Sequence, residues 1–414
     1  MKNKRMKAVA PAPAKKSKNR LFIIIIAALL AAALTVGAVF GIIAIVRESG
    51  AVASFEGVRV SEGVANYLAS TRKKDYMRYL GSTTGIPASD TPEYWQTENK
   101  DGVSYAELLR GDVEKYIRQV VIGSYIYDMA GGLDSYDREY IETLTSDILM
   151  REAEGDKERF NELSSPMGFD YDDFCRGTEM VYKYRLAASA IYGSDGSGLT
   201  TAEKEEYLAT YSHVKLLFIR TKYEYATDSD GNYIIDGQGY VKYELSESDV
   251  ASRVSDIEEI RSLIEGKRNG ADAIISPEVM STFINKYNSS DTYADTGYYL
   301  SPKSGFVYDS IYNQDPDFVE MSEKIAKSAF SADVGDYAEF STDDGVGFIY
   351  KYEVSPGAYS KGELSQFFSD FISDAVDHFY TLELERLSPA VKIKDSFYKI
   401  DLVALPYNKS MFAI

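Results

Sequence analysis

The chain has 414 residues, a formal net charge of −19 and a hydrophobic content of 45%. The length allows two or three domains of ~100–200 residues, and the hydrophobic content excludes an intrinsically disordered protein. The acidic balance disfavours nucleic-acid binding, which needs a basic surface. The single cysteine excludes an intramolecular disulfide and a cysteine-based zinc finger. With only two histidines as well, we expect no metal and no cofactor.

The charge pattern at the amino terminus predicts a membrane anchor. Residues 1–20 carry eight Lys or Arg and no acid, whereas residues 21–46 are uncharged and largely apolar. At ~1.5 Å per residue, such a helix crosses the hydrocarbon core, and its basic flank places the amino terminus in the cytoplasm. Subtracting the eight positive charges from the net −19 leaves −27 on the remainder, which we expect to be extracytoplasmic.

A cleavable signal peptide is the alternative interpretation of this segment. Ala51-Val52-Ala53 resembles an A-x-A site, with cleavage after Ala53. The apolar run is, however, longer than the ~7–15-residue core of a signal peptide, which favours a retained anchor.

The first outer region, residues 47–199, is predicted to be helical. A strand at 54–60 precedes a helix capped by Ser61, and a loop follows at 82–102. The first helix carries Val64, Tyr67, Leu68 and Thr71 on one face. Further helices are predicted at about 104–129, 136–153, 155–164 and 171–192.

After a Gly- and Ser-rich joint at 193–198, the pattern predicts mixed α and β structure. A strand is predicted at 213–219 and a glycine-rich hairpin at 228–244. Helices follow at about 248–267, 277–287 and 317–330, with a strand–turn–strand at 334–354. An amphipathic helix at 361–387 and a short hairpin at 391–403 close the chain. The expected fold class is therefore α+β.

Five ordered segments of this middle region resemble a parvulin, the small domain that isomerises peptidyl-prolyl bonds. Residues 211–219 (YSHVKLLFI) resemble its opening strand. The later matches are FINKYNSSD at 283–291, ADTGYY at 294–299, SAFSADVGD at 328–336 and GVGFIY at 345–350. The segments span about 140 residues in the family's order, so together they identify a parvulin-like (PpiC-like) domain.

The flanking segments resemble extracytoplasmic foldases of the PrsA and SurA type. SFEGVRVSEGVANYLAS at 54–70 resembles their opening segment and ERLSPAVKIKDSFYKID at 385–401 their closing one. In those proteins both ends of the chain form one helical chaperone domain into which the parvulin is inserted. The charge pattern gives a tail at 1–20 and an anchor at 21–46, and a transmembrane anchor departs from the lipid anchor usual in PrsA-like proteins. The resemblance implies a helical region at 47–199, a parvulin-like domain at 205–356, and a carboxy-terminal helix and tail at 357–414 that pack on the helical region.

Active parvulins place two histidines, a Cys or Asp, and an apolar cup around the prolyl bond. The resemblance puts His213 at the first histidine position and Gly347 at the second, with Ser290 and adjacent Asp291 at the acidic or thiol position. The implied substrate-binding residues are Phe306, Val307, Ile325, Phe330 and Phe348. A structural role for His213, and ordinary core packing of Phe306 and Val307, remain the alternative interpretations.

Catalysis of prolyl isomerisation requires tighter binding of the twisted amide than of either planar isomer, since resonance sets a barrier of ~18–20 kcal/mol. Glycine supplies no side-chain donor for that state, so we expect isomerase activity to be weak or lost. The sequence thus predicts a membrane-anchored, extracytoplasmic folding factor that binds unfolded or proline-containing secreted polypeptides. The alternative is an inactive parvulin-like scaffold that docks one envelope partner. A hydrolase is disfavoured because no nucleophile–base motif is present. The resemblance also allows a homodimer.

Overall fold

The computed structural model describes residues 50–84, 89–229, 232–270, 275–287, 297–302 and 321–407. They divide into two compact units, one comprising the chain up to Arg185 together with the part from Leu387 onwards, the other Leu186–Arg386. Helices and strands both contribute, so the predicted α+β class is confirmed. No helix in the described ranges is long and apolar enough to cross a membrane. The anchor predicted at 21–46 lies outside these ranges.

The first unit is mainly helical, and its helices begin at capping residues readable from the sequence. Ser104 and Glu107 form a capping box at one helix start, and Asp134 and Asp137 do so at the next. The helices are α1 (Glu62–Thr84), α2 (Pro92–Gln96), α3 (Tyr105–Met129), α4 (Ser135–Ala153), α5 (Lys157–Ser164) and α6 (Tyr171–Tyr192), of which α6 continues into the second unit from Leu186 onwards. The loop predicted at 82–102 therefore contains the end of α1 and all of α2.

The strand predicted at 54–60 is instead a hairpin of two strands, β1 (Ala51–Phe55) and β2 (Val58–Ser61). The turn residues Glu56 and Gly57 have φ angles of +44° and +90°. Positive φ at both central residues is the geometry that lets a two-residue loop reverse the chain.

The carboxy-terminal tail belongs to the first unit. After the last helix, Lys392–Ile393 forms a short strand that pairs with β1, and a 3₁₀ turn follows at Phe397–Lys399 in place of the predicted hairpin. Lys73 of α1 is 1% exposed, and its ammonium group donates to the carbonyl oxygens of Val403 (2.9 Å) and Leu405 (2.7 Å). It also pairs with Asp90 at 2.6 Å, so each of the three ammonium hydrogens has an acceptor.

The second unit is built on a four-stranded antiparallel sheet. Its order is Tyr298–Leu300 (β8), Ser212–Arg220 (β3), Gly345–Tyr352 (β10) and Tyr337–Ser341 (β9). Three helices, which we label α8 (Glu247–Asn269), α9 (Pro277–Tyr287) and α10 (Ser322–Ser331), pack on this sheet. Leu217 and Ile219 share one core cluster with α8 and α9, while Leu216 and Phe218 share the other with α10. Alternate residues of β3 therefore bury opposite faces of the sheet.

The amphipathic helix predicted at 361–387 is shorter in the structure and lies in the second unit. Residues Gly362–Phe367 form a 3₁₀ helix, and α11 begins at Phe371 and ends at Leu387. Its apolar face packs in the second unit, where the ring centroid of Phe371 lies 5.5 Å from that of Tyr207 and 5.8 Å from that of Tyr211. The same core cluster includes Leu199, from the end of the region predicted as helical. Tyr207 lies on α7 (Thr201–Leu208).

The predicted hairpin at 228–244 is present as an excursion between β3 and α8. Four short strands build it, namely β4 (Tyr223–Tyr225), β5 (Ile235–Asp236), β6 (Gly239–Tyr240) and β7 (Lys242–Glu244), paired as β4 with β7 and β5 with β6. Arg220 lies over the ring of Tyr225 at 4.9 Å. Ile235 and Tyr243 remain 64% and 54% exposed, which gives the excursion an apolar surface.

Candidate functional site

His213 lies in the middle of an aromatic row on one face of the second-unit sheet. Its ring stacks on Tyr299 of β8, with centroids 4.1 Å apart and planes 6° apart. Tyr352 of β10 lies on the other side at 5.0 Å. The Nδ1 atom lies 3.4 Å from the carbonyl oxygen of Glu353, and Gly297 gives the ring room, because a Cβ there would lie 3.0 Å from Nε2.

This packing determines what His213 can offer a ligand. Both faces of the imidazole are covered by tyrosines, so only the ring edge is left for contact. Burial raises the pKa of Tyr352 to about 12, which keeps its phenol neutral and able to donate a hydrogen bond. The arrangement favours the structural interpretation of His213, while its catalytic role stays a prediction.

The two positions at which the parvulin resemblance expects histidines do not converge in this structure. In the ladder between β3 and β10, His213 pairs with Tyr352 and Gly347 pairs with Phe218. The positions are thus five residue pairs apart, ~17 Å at ~3.4 Å per residue, and an odd number of steps puts them on opposite faces of the sheet. They cannot surround one peptide bond.

The other predicted site residues are also dispersed. Ile325 of α10 is fully buried in the cluster on one face of the sheet, whereas Phe348 is fully buried in the cluster on the opposite face. Phe330, at the end of α10, is 38% exposed. The described members of the predicted proline cup therefore share no surface. The remaining predicted residues, Ser290, Asp291, Phe306 and Val307, lie outside the described ranges.

An open cleft of about 410 Å³ lies in the first unit, with walls from α1, α3 and α6. This volume is within the range of small-ligand pockets and suits two or three side chains of a polypeptide. Three tyrosines, Tyr67, Tyr116 and Tyr184, are contributed one by each helix. The other lining residues are Leu68, Thr71, Arg72, Lys74, Asp75, Gln119, Val181 and Arg185.

Burial controls the ionisation of the cleft tyrosines. It raises the pKa of Tyr67 to about 12 and also raises the pKa of Tyr116 and of Tyr184. The positive charge of Arg185, which lines the same cleft, acts in the opposite direction on the pKa of all three phenols. At neutral pH the cleft therefore presents uncharged phenols beside a cation.

The sequence indicated one wall of this cleft and missed the others. The face predicted for the first helix carried Tyr67, Leu68 and Thr71, and all three line the cleft. Lys74 follows Thr71 after three residues and lies on the same stripe. Tyr116 and Tyr184 belong to helices whose contact with α1 only the tertiary structure reveals.

The described ranges offer neither a metal-binding cluster nor a cysteine with an activated thiol. Those ranges contain no group of three or more His, Cys, Asp or Glu residues that could hold a metal ion. Asp228 and Asp236 instead accept backbone N–H groups of Asn232 and Gln238 at hairpin turns. Burial raises the pKa of the Cys175 thiol, which disfavours a reactive thiolate.

Comparison with known proteins gives distant structural alignments alone. No family profile and no curated protein matches the sequence. PrsA from Bacillus subtilis aligns at 13% identity over 74% of this chain and 91% of its own, with a TM-score of 0.17. The peptidylprolyl isomerase PrsA from Bacillus cereus aligns at 10% identity over 73% and 95%, with a TM-score of 0.23. The foldase PrsA from Streptococcus pneumoniae aligns at 10% over 73% and 97%, with a TM-score of 0.19. TM-scores this low carry no argument about fold or activity.

Proposed function

We propose that this chain is a membrane-anchored, extracytoplasmic folding factor that binds unfolded secreted polypeptides through the cleft of its helical unit. The cleft carries the proposal. It is concave and open, and two of its tyrosines, Tyr116 and Tyr184, are partly exposed and offer apolar ring surface with a polar edge. Such surfaces bind varied sequences at low entropic cost, because each tyrosine side chain has only two rotatable angles to fix.

Prolyl isomerisation is weak or lost in this proposal. The chemistry needs several groups around one twisted amide, and His213 and Gly347 lie on opposite faces of the sheet. The second unit then contributes by binding polypeptide, through the aromatic row around His213 and the exposed excursion that carries Ile235 and Tyr243.

The test measures suppression of aggregation by the full-length chain in detergent micelles. A disulfide-free client is diluted from guanidinium chloride, and light scattering is followed with equimolar chain. Gln119→Trp fills the cleft, whereas Gln96→Trp adds the same ring at an exposed position at the end of α2. We expect wild type and Gln96→Trp to suppress scattering and Gln119→Trp to do so poorly. No suppression by wild type, or equal suppression by all three chains, would refute the proposal.

A second candidate is a scaffold that docks one envelope partner, which the dispersed isomerase positions favour. Affinity capture from solubilised membranes separates the two functions. One stoichiometric partner supports the scaffold, and a broad mixture of secreted clients supports the folding factor.

A further inference from the structure

The cleft in the first unit has the opposite charge balance to the chain that contains it. The whole sequence has 64 acidic and 45 basic residues. The cleft is lined by three bases, Arg72, Lys74 and Arg185, and one acid, Asp75. The overall composition does not explain a basic cleft in a strongly acidic protein. The positive lining indicates that the ligand of the cleft carries negative charge.

The three bases have different roles in the cleft. Arg72 donates from Nε and Nη2 to the carboxylate of Asp112, at 2.7 Å and 2.9 Å, and its guanidinium lies 5.5 Å from the centre of the Tyr116 ring. This bidentate pair fixes the arginine and offsets its charge. Lys74 on α1 and Arg185 on α6 then bring positive charge to two different walls.

Neutral phenols complement those two cations. A phenol donates its proton to an acceptor, and burial raises the pKa of Tyr116 and of Tyr184, so both partly exposed phenols are protonated at neutral pH. Hydrogen bonds from cationic and phenolic donors to a carboxylate are roughly twice as strong as neutral pairs. The rings of Tyr116 and Tyr184, which are partly exposed, provide apolar surface for the neighbouring side chains of a bound segment.

We infer that the cleft selects acidic segments of unfolded polypeptides, with a Glu or Asp carboxylate held between Lys74 and Arg185 and an adjacent apolar side chain against the tyrosines. This inference rests on the proposed function. The negative charge of the remaining surface does not cancel the preference at physiological salt, because the Debye length is then about 8 Å and the charges inside the cleft dominate.

Two labelled peptides of equal length test the inference by fluorescence anisotropy with the full-length chain at physiological salt. Both carry the same Leu and Phe residues, one with Glu and the other with Lys at every other position. The cleft variant is Lys74→Gln with Arg185→Gln. Its matched control, Arg59→Gln with Lys115→Gln, removes the same two charges from exposed positions of the same unit.

We expect wild type and the control to bind the Glu peptide about tenfold more tightly than the Lys peptide, and the cleft variant to lose most of that preference. Equal binding of both peptides by wild type, or a preference that the cleft variant retains, would overturn the inference and leave the proposed function standing. If wild type binds neither peptide and leaves client aggregation unchanged, the proposed function itself fails.

Discussion

The ring of Phe340 occupies the space where a side chain at Gly347 would begin. A Cβ on Gly347 would lie 2.0 Å from Cζ of Phe340, well inside contact distance. Phe218 flanks Gly347 from the opposite strand, and the two phenylalanine rings are parallel within 6° with centroids 6.2 Å apart. Because Gly347 has no side chain, the rings of Phe218 and Phe340 meet across β10 and form an apolar layer at the position where the parvulin resemblance expects a second histidine.

Gly347→Ala is therefore expected to destabilise the protein. Overpacking a filled core costs roughly 1–3 kcal/mol, because Phe340 must leave its position. Gly237→Ala is the control, since a Cβ there meets nothing within 4 Å. Urea unfolding of the full-length chain measures both variants. Equal midpoints for Gly347→Ala and wild type would show that the ring moves aside freely and would contradict the packing argument.

We expect the full-length chain not to catalyse prolyl isomerisation. The cis–trans exchange rate of a prolyl peptide should stay within about twofold of the uncatalysed rate, whose time constant is roughly tens to hundreds of seconds. The reason is that tyrosines cover both ring faces of His213, and that Gly347 lies on the opposite face of the sheet. NMR exchange spectroscopy measures the rate for wild type, His213→Ala and His378→Ala. Catalysed exchange that falls in His213→Ala alone would make this chain a working isomerase.

Alkaline stability should depend on Tyr67. Burial raises the pKa of this phenol from 10.0 to about 12, so the folded state holds the proton more tightly than the unfolded state. Its contribution to the free energy of unfolding is complete below pH 10 and is lost as the pH rises through 12, at about 1.4 kcal/mol per pH unit at most.

Unfolding of Tyr67→Phe across this pH range is the measurement, with Tyr79→Phe, 59% exposed, as the control. We expect Tyr67→Phe to lose less stability between pH 10 and pH 12 than wild type does, and Tyr79→Phe to follow wild type. Parallel curves for all three chains would count against the burial of this phenol.

Local signals in the sequence predicted the helices well, and long-range packing explains what they missed. Ser104 with Glu107, and Thr200 with Glu203, form capping boxes. Each box lies within four consecutive residues, so the local sequence is enough to predict where α3 and α7 begin. The reversal at Glu56 was missed because only Gly57 after it signals a turn and the flanking residues continue an alternating pattern.

Placement in space was harder to predict than secondary structure. The amphipathic pattern of α11 specifies a buried face and leaves open which core buries it. The family motifs assigned His213 and Gly347 to one site, yet the register of β3 and β10, which depends on contacts between distant segments, sets them on opposite faces. The cleft could not be predicted in full for the same reason. The pattern of α1 indicated one wall, whereas the other two walls depend on how α3 and α6 pack against α1.

Photo-crosslinking tests the central claim, client binding in the cleft, most directly. A photoreactive amino acid is placed in the full-length chain at Asp75 on the cleft wall, at Gln96 outside it, or at Tyr243 on the exposed excursion, and each chain is irradiated with an unfolded client. We expect strong adducts from position 75 and few from position 96. Adducts confined to position 243, or equal at 75 and 96, would contradict the assignment of polypeptide binding to the cleft.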